Sequence, residues 1–220
     1  RFFAAFGAGG VIYLTSLIFN NLGLSATDIG LGFTISAIIG TVTRLFTGNY
    51  LNKTGKIQFP IITSSILSIA ASLCLIFSRD TFLYIIGQSL VGAAAGIYWP
   101  AAEFGVPYFC HPIETRKAYA LVRSSEALGI FLGVFLGGYM TNFLYSKSIF
   151  INDIFCMLVI TYLISRNSSS IKRNLENFQK KLVDPINQGQ LKWNKNSTII
   201  ILSILLITTS LALIQVTLPL

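Results

Sequence analysis

Residues 2–27 read FFAAFGAGGVIYLTSLIFNNLGLSAT, and no charged side chain interrupts them. A helix needs about 20 apolar residues to cross a hydrocarbon layer of about 30 Å, so this run can span a membrane. Four more charge-free runs occupy residues 57–78, 81–102, 127–146 and 196–220. Shorter runs at residues 29–43 and 154–165 also suffice if charges at their ends are tolerated. The sequence therefore predicts a polytopic membrane protein.

The composition supports the same class. Only 11% of the 220 residues are charged, whereas about 25% is usual for a soluble domain. The backbone of each span must satisfy its own hydrogen bonds in lipid, which successive runs of this length achieve as helices. We therefore expect an all-α protein with six complete spans. Their predicted limits are residues 2–22, 28–50, 57–78, 81–109, 117–145 and 148–165.

The six spans are predicted to form a first unit over residues 1–165. After it, the chain is polar from residue 166 to residue 196. Ile171, Leu175, Phe178 and Leu182 recur there at helical spacing beside lysines and arginines. This pattern is typical of a helix on the inner membrane surface, with a disordered linker as the alternative. Residues 197–220 read as the first helix of a second unit. We expect the chain to be the amino-terminal part of a longer protein, whose carboxy-terminal half would be its partner.

The positive charges are distributed unequally between alternate loops. With successive loops on opposite sides, 13 lysines and arginines fall on one side and only Arg79 and Lys147 on the other, leaving Arg1 aside. Positive residues are enriched in cytoplasmic loops. This bias predicts cytoplasmic loops 2–3, 4–5 and 6–7 in an integral protein of the plasma (inner) membrane. It also argues against nucleic acid as the reason for the net charge of +8.

A faint internal repeat relates the first three spans to the next three. Span one aligns with span four at an offset of 85, through the pairs Gly7/Gly92, Ala8/Ala93, Ile12/Ile97 and Tyr13/Tyr98. Span two aligns with span five at an offset of 89, through the pairs Ser36/Ser125, Gly40/Gly129, Phe46/Phe135, Gly48/Gly137 and Tyr50/Tyr139. Single matches of this kind arise by chance, but two in the correct order predict an inverted 3+3 repeat. Such repeats place a substrate path at their interface.

Two carboxylates fall within predicted spans: Glu103 in span four and Glu126 in span five. An ionisable group at a helix centre costs about 2.5–3.5 kcal/mol on insertion scales, so each should face protein or water. Glu103 would lie about 12 Å inside the predicted span end. It is either a proton, cation or solute contact or part of a brace with Arg123, Glu126 and Arg44. Glu126 is the better candidate for the brace because Arg123 is one turn away.

Other candidate residues are less specific. Gln88 and Trp99 share the face of Glu103, while Tyr13 and Tyr98 carry a polar tip on an apolar body. Helix packing explains these side chains as readily as solute contact does. A ladder of Gly129, Gly133 and Gly137 would allow a neighbouring helix to approach closely. We find no spacing that predicts a metal site, a cofactor or an enzyme.

The segment GNYLNKTGK, residues 48–56, resembles the loop 2–3 signature G-x-x-x-D-[RK]-x-G-[RK] of the major facilitator superfamily. The matching positions are Gly48, Lys53, Gly55 and Lys56, with Asn52 in place of the aspartate. The resemblance implies a six-helix amino-terminal half and a loop that latches two halves on the cytoplasmic side. The basic segment from Glu114 to Ala118 is similar to the family's loop 4–5.

Two further segments resemble patterns of drug/proton antiporters, with departures. Residues 88–96 lack the arginine of the span-four pattern, where Gln88 stands, and Val134 replaces the proline of the span-five pattern. The superfamily resemblance implies alternating-access transport of a small solute without a cofactor. Energy would come from a proton or ion gradient, or from the solute's own gradient. A non-transporting scaffold or receptor of the same fold is the alternative function.

The loop charges generate a topology prediction. Single cysteines placed at Lys53 and Gln190 should react only with reagents that reach the cytoplasm, whereas a cysteine at Arg79 should react with an impermeant reagent added outside. Labelling of the full-length protein in intact cells measures this. Outside labelling at Gln190 would contradict the predicted orientation.

Overall fold

The computed structural model describes residues 1–108, 115–143, 146–169 and 171. These residues form no strand, one short 3-10 turn and six long helices: α1 (Phe2–Asn21), α2 (Ala26–Thr54), α3 (Gln58–Phe77), α4 (Thr81–Gly105), α5 (Thr115–Phe143) and α6 (Ser148–Arg166). All six are long and apolar enough to cross a membrane. The predicted all-α polytopic fold is therefore confirmed. The predicted span at 197–220 lies outside the described residues.

Two helices end at places other than those predicted. Helix α2 continues to Thr54, and Gly55 then adopts a left-handed conformation with φ of 64° while its N–H donates to the carbonyl of Leu51. Glycine reaches this conformation without the steric penalty that a Cβ imposes. Helix α4 was expected to reach residue 109 but stops at Gly105. Pro107 lies two residues later and cannot donate the backbone hydrogen bond that would extend the helix.

The contacts that α1 makes with the last three helices correspond to those that α4 makes with the first three. α1 packs against α5 and α6, α2 packs against α4, and α3 packs against α4 and α6. Exchanging the first three helices with the last three converts the α1–α5 contact into α4–α2 and the α1–α6 contact into α4–α3. The packing therefore has the pattern that an inverted 3+3 repeat requires.

Glycines set the closest of these approaches. A Cβ on Gly133 of α5 would meet the carbonyl oxygen of Phe6 in α1, and a Cβ on Gly92 of α4 would meet that of Ser36 in α2. Gly129 also faces α1, since its Cβ would lie 2.6 Å from the carbonyl oxygen of Phe2. Small residues at helix contacts let neighbouring backbones approach each other closely in a membrane.

A buried lysine joins the opposite ends of α3 and α6. Lys147, at the start of α6, is only 5% exposed. Its Nζ donates to the carbonyls of Ile76, at 2.9 Å, and of Ser78 at the end of α3. Burial, with a smaller contribution from Arg79, lowers the pKa of Lys147. The ammonium satisfies carbonyls that the helix end leaves without an internal partner.

Only the start of the predicted surface helix belongs to the described part of the chain. Ile171 was expected on the lipid-facing side, but it is 7% exposed and packs in a cluster with Ile57 and Ile160. Gln58 at the start of α3 donates to the carbonyl of Ser168 at 2.7 Å. Ile171 therefore covers the end of the helix bundle instead of facing the membrane surface. Residues 172–196 of the predicted segment lie outside the described residues.

The glycine contacts predict a sharp difference within α5. Gly133→Ala should lower the free energy of unfolding by about 1–3 kcal/mol, because the added methyl group meets the α1 backbone and forces the helices apart. Gly138→Ala is the matched control, since nothing lies within 4 Å of its Cβ position. Thermal unfolding of the two purified full-length variants measures the difference. Equal stability of both variants would show that α1 and α5 do not meet at Gly133.

Candidate functional site

Four charged side chains, one just before α1 and three on α4 and α5, form a closed ring of ion pairs. Arg1, just before α1, approaches Glu103 of α4 at 3.2 Å and Glu126 of α5 at 3.0 Å. Arg123 of α5 contacts the same two carboxylates, lying 3.2 Å from Glu126 Oε2 and hydrogen-bonding to Glu103. Each arginine therefore bridges both glutamates. We call this set the charge ring.

The ring is buried on one side and open on the other. The side chain of Arg1 is 6% exposed and that of Glu126 is 15% exposed, whereas Glu103 and Arg123 are 42% and 58% exposed. The guanidinium carbon of Arg1 also lies 5.0 Å from the centroid of the Trp99 indole, within the range of a cation–π interaction. Arg1 and Glu126 therefore form the internal pair, and Glu103 and Arg123 face the open side.

A cleft of about 520 Å³ adjoins the ring. Its walls carry all four members of the charge ring together with Arg44, Gly48, Trp99 and Pro100. Arg44 is exposed and makes no ion pair with a carboxylate among the described residues. The ring is neutral as a set, so Arg44 gives this charged cleft one excess positive charge.

Glu103 lies nearer the end of its helix than the sequence predicts. It was expected about 12 Å inside span four, but α4 ends at Gly105, so Glu103 lies in the last turn of the helix. Its own helix offers no basic partner, yet α1 and α5 supply two. Glu103 is therefore as fully paired as Glu126, and the two differ in exposure instead. Its role in solute or cation contact stays a prediction.

Aromatic residues of α4 line a second, smaller space. A cavity of about 70 Å³ lies among α1, α3, α4 and α6, with Tyr98 and Trp99 on its wall. Their rings meet edge to face at 5.2 Å. Trp99 lies on the walls of both this inner cavity and the charged cleft. The two spaces share this one lining residue among those described.

Gln88 and Tyr13 line neither space. Gln88 is 1% exposed, and its Nε2 has no hydrogen-bond partner among the described residues. Tyr13 is half-buried in α1. The roles of Gln88 and Tyr13 in solute contact stay predictions.

The structure also contains a buried carboxylate that sequence reasoning passed over. Asp153 of α6 is 2% exposed and accepts hydrogen bonds from Ser68 at 2.9 Å and Ser72 at 2.8 Å. In the sequence, Asp153 is the charged residue immediately before the charge-free run 154–165. The sequence signal for a buried carboxylate was an aspartate early in span six together with a serine-rich span three that could supply hydrogen-bond donors. Asp153 also lies on the wall of the inner cavity.

The loop 2–3 motif lies largely within a helix. Gly48, Asn52 and Lys53 belong to α2, and only Gly55 and Lys56 follow its end. Asn52 and Lys53 are exposed in the last turn, while Gly48 lines the charged cleft. The motif therefore runs from the cleft to the end of α2.

These features define a polytopic α-helical membrane protein in which an inverted arrangement of six helices surrounds internal charges. The sequence model of the Major Facilitator Superfamily matches residues 1–220, and the chain belongs to this family.

Two curated relatives are transporters by name. The chain is 26% identical over 155 residues to the uncharacterized MFS-type transporter YttB of Bacillus subtilis, covering 70% of this chain and 38% of the relative. It is 21% identical over 130 residues to the purine ribonucleoside efflux pump NepI of Escherichia coli, covering 59% of this chain and 33% of the pump. The matched region is thus well under half of either relative.

The burial difference within the charge ring predicts unequal effects on stability. Glu126→Gln should lower the free energy of unfolding by about 1–3 kcal/mol, because it leaves the buried Arg1 with a weaker partner. Glu103→Gln, at the open side, should cost less because water can solvate the exposed arginine. Thermal unfolding of both full-length variants provides the comparison. A larger loss for Glu103→Gln would contradict this assignment of inner and outer pairs.

Proposed function

We propose that this chain is the amino-terminal part of a secondary transporter that moves a small solute by alternating access. Residues 1–165 would form its first unit, residues 166–196 the connecting segment and residues 197–220 the first helix of a second unit. The observation that carries the proposal is the charged cleft, where ionisable side chains of α2, α4 and α5 meet Arg1 at the start of α1. Family membership supports the same class of function.

The charge ring suits a transporter because it links the start of α1 to α4 and α5, and because water reaches its outer members, Glu103 and Arg123. Paired charges at an open cleft can separate and form again at a low cost, since solvent replaces the lost partner. The same contacts fix the helix ends while they are closed. We therefore assign the ring to the cytoplasmic closure of this unit, on the side that the loop charges predict.

Glu103 is the proposed contact for a solute cation or a coupling proton. It is the more exposed carboxylate of the ring and lies beside the cleft with Trp99 and Arg44. A cation that enters the cleft competes with Arg123 and Arg1 for Glu103, and Arg1 keeps its contact with Glu126. A closed, dry cluster would have favoured the scaffold alternative, and the 42% exposure of Glu103 argues against it.

The solute class has one lead from the comparisons. The Escherichia coli relative is named for the efflux of purine ribonucleosides. A nucleoside is a small neutral solute with an aromatic base, and Tyr98 and Trp99 supply aromatic surface on α4. We therefore propose purine ribonucleosides as the first compounds to test, with other small polar solutes in the same panel.

The proposal predicts a specific transport phenotype. Full-length protein in proteoliposomes should accumulate one of the panel compounds when a pH or ion gradient is imposed. Glu103→Gln should abolish this accumulation while exchange of the labelled solute for unlabelled solute survives, because the charge that couples the gradient is lost. Uptake of radiolabelled compound, with and without a gradient, measures both activities.

The control is Asp28→Asn, which changes a half-buried carboxylate in the first turn of α2 that accepts a hydrogen bond from Ser25, far along the helix from the cleft. It should leave accumulation unchanged. If Glu103→Gln accumulates solute normally and only unfolds earlier, Glu103 is a brace and the coupling assignment is wrong. If no member of a broad panel moves under any gradient, the scaffold function gains support.

A further inference from the structure

Asp153 is a charge-bearing group that the charge ring does not use. It lies on α6 and faces α3 and α1, and no lysine, arginine or histidine among the described residues forms an ion pair with it. Its neighbours that can titrate are Cys156, one turn later on α6, and Tyr98 across the inner cavity. Neither of them is a cation at neutral pH. The ionised carboxylate therefore has only hydroxyl groups as close partners.

Two serines are placed to serve both charge states of Asp153. Ser68 and Ser72 donate to Oδ2, which stabilises the carboxylate. A serine hydroxyl is also an acceptor, and in a helix it can turn to donate to the carbonyl four residues earlier. The same atoms can thus accept a hydrogen bond from the protonated acid after a rotation of the hydroxyl groups. No backbone movement is needed to change the charge.

The other carboxylate oxygen lies against α1. A Cβ on Gly7 would be 2.7 Å from Asp153 Oδ1, so the α1 backbone approaches this oxygen as closely as a residue without a side chain permits. Glycine at this position keeps space for the carboxyl group. The charge of Asp153 therefore acts directly on the contact between α1 and α6.

The inner cavity places water-sized space directly beside the carboxyl group of Asp153. Asp153 and Ser68 lie on its wall, and its volume of about 70 Å³ can hold a few water molecules. Trp99 borders both this cavity and the charged cleft. The mostly apolar lining offers too few oxygens for a metal cation, which commonly takes six or more oxygen ligands. A proton is the occupant that suits one carboxyl group with two hydroxyl partners.

We propose that Asp153, held by Ser68 and Ser72 on the wall of the inner cavity, is a proton-binding site of the transport cycle. Proton binding converts the carboxylate to the neutral acid, and release restores the charge. Because the neutral acid costs less to bury than the anion, protonation favours tight packing of α1 on α6, while ionisation favours entry of water into the cavity. This inference rests on the proposed transport function for its place in a cycle, but not for the titration itself.

Modification by dicyclohexylcarbodiimide tests the site without a known solute. The reagent takes the proton of a carboxylic acid on one nitrogen while the carboxylate oxygen bonds to its central carbon, and the adduct rearranges to a stable acylurea. Full-length protein in membranes should be modified at Asp153, identified by mass spectrometry, and the yield should fall several-fold from about pH 5 to about pH 9. Asp153→Asn should lose the modification completely, and Glu126→Gln should retain it.

Infrared spectroscopy of the unmodified protein supplies a second measurement, in which the difference from Asp153→Asn assigns the band to Asp153. The carbonyl band of a protonated carboxyl group should disappear as the pH rises through the same range. A yield at Asp153 that does not change with pH, or no reaction at any pH together with no carbonyl band, would overturn the proposal. Protection of Asp153 by sodium at constant pH would also overturn it, in favour of a metal cation. Titration of Asp153 in a protein that transports no solute would instead refute the proposed function alone.

Discussion

The close approach of α5 to α1 is the contact on which the charged site depends. Gly129 faces the carbonyl of Phe2 and Gly133 faces that of Phe6, so the two backbones nearly touch. Glu126 lies one turn before Gly129, and Arg1 lies one residue before Phe2. The backbone contact therefore brings Arg1 and Glu126 together at 3.0 Å. Lipid gives helices no hydrophobic reason to associate, so such close packing carries much of the specificity of the fold.

The protein holds its two groups of internal carboxylates in different ways. In the charge ring, two arginines balance two glutamates, and every charge has a partner whether or not the cleft is open to water. Among the described residues, Asp153 has only hydroxyl donors as hydrogen-bond partners, beside a mostly apolar cavity wall. The buried pair of Arg1 and Glu126 resists a change of charge, because losing one member leaves an unpaired partner. An isolated carboxyl group with neutral partners can change its charge without breaking an ion pair.

The sequence predicted the helices well because the spacing of charges along the chain depends on membrane thickness. It also predicted the Arg123–Glu126 pair, which follows from helical spacing within one element. It did not predict that Arg1 would join Glu103, because contacts between helices depend on rotation about each axis. Asp153 was missed for a related reason. A carboxylate near the start of a span can lie at the surface or be buried, and only the serines of α3 distinguish the two positions.

Helix α1 connects the two sites physically. Arg1, at its start, bridges Glu103 and Glu126, while Gly7, nearly two turns later, lies against Asp153. The described part of α1 is one continuous helix, and intact helices move as rigid elements because each turn is hydrogen-bonded to the next. A displacement of α1 that opens the charge ring must therefore also alter the space beside Asp153. On the proposed protonation of Asp153, a change in its charge acts on α1 at Gly7, and α1 is then the element through which the inner cavity and the charged cleft would be coupled.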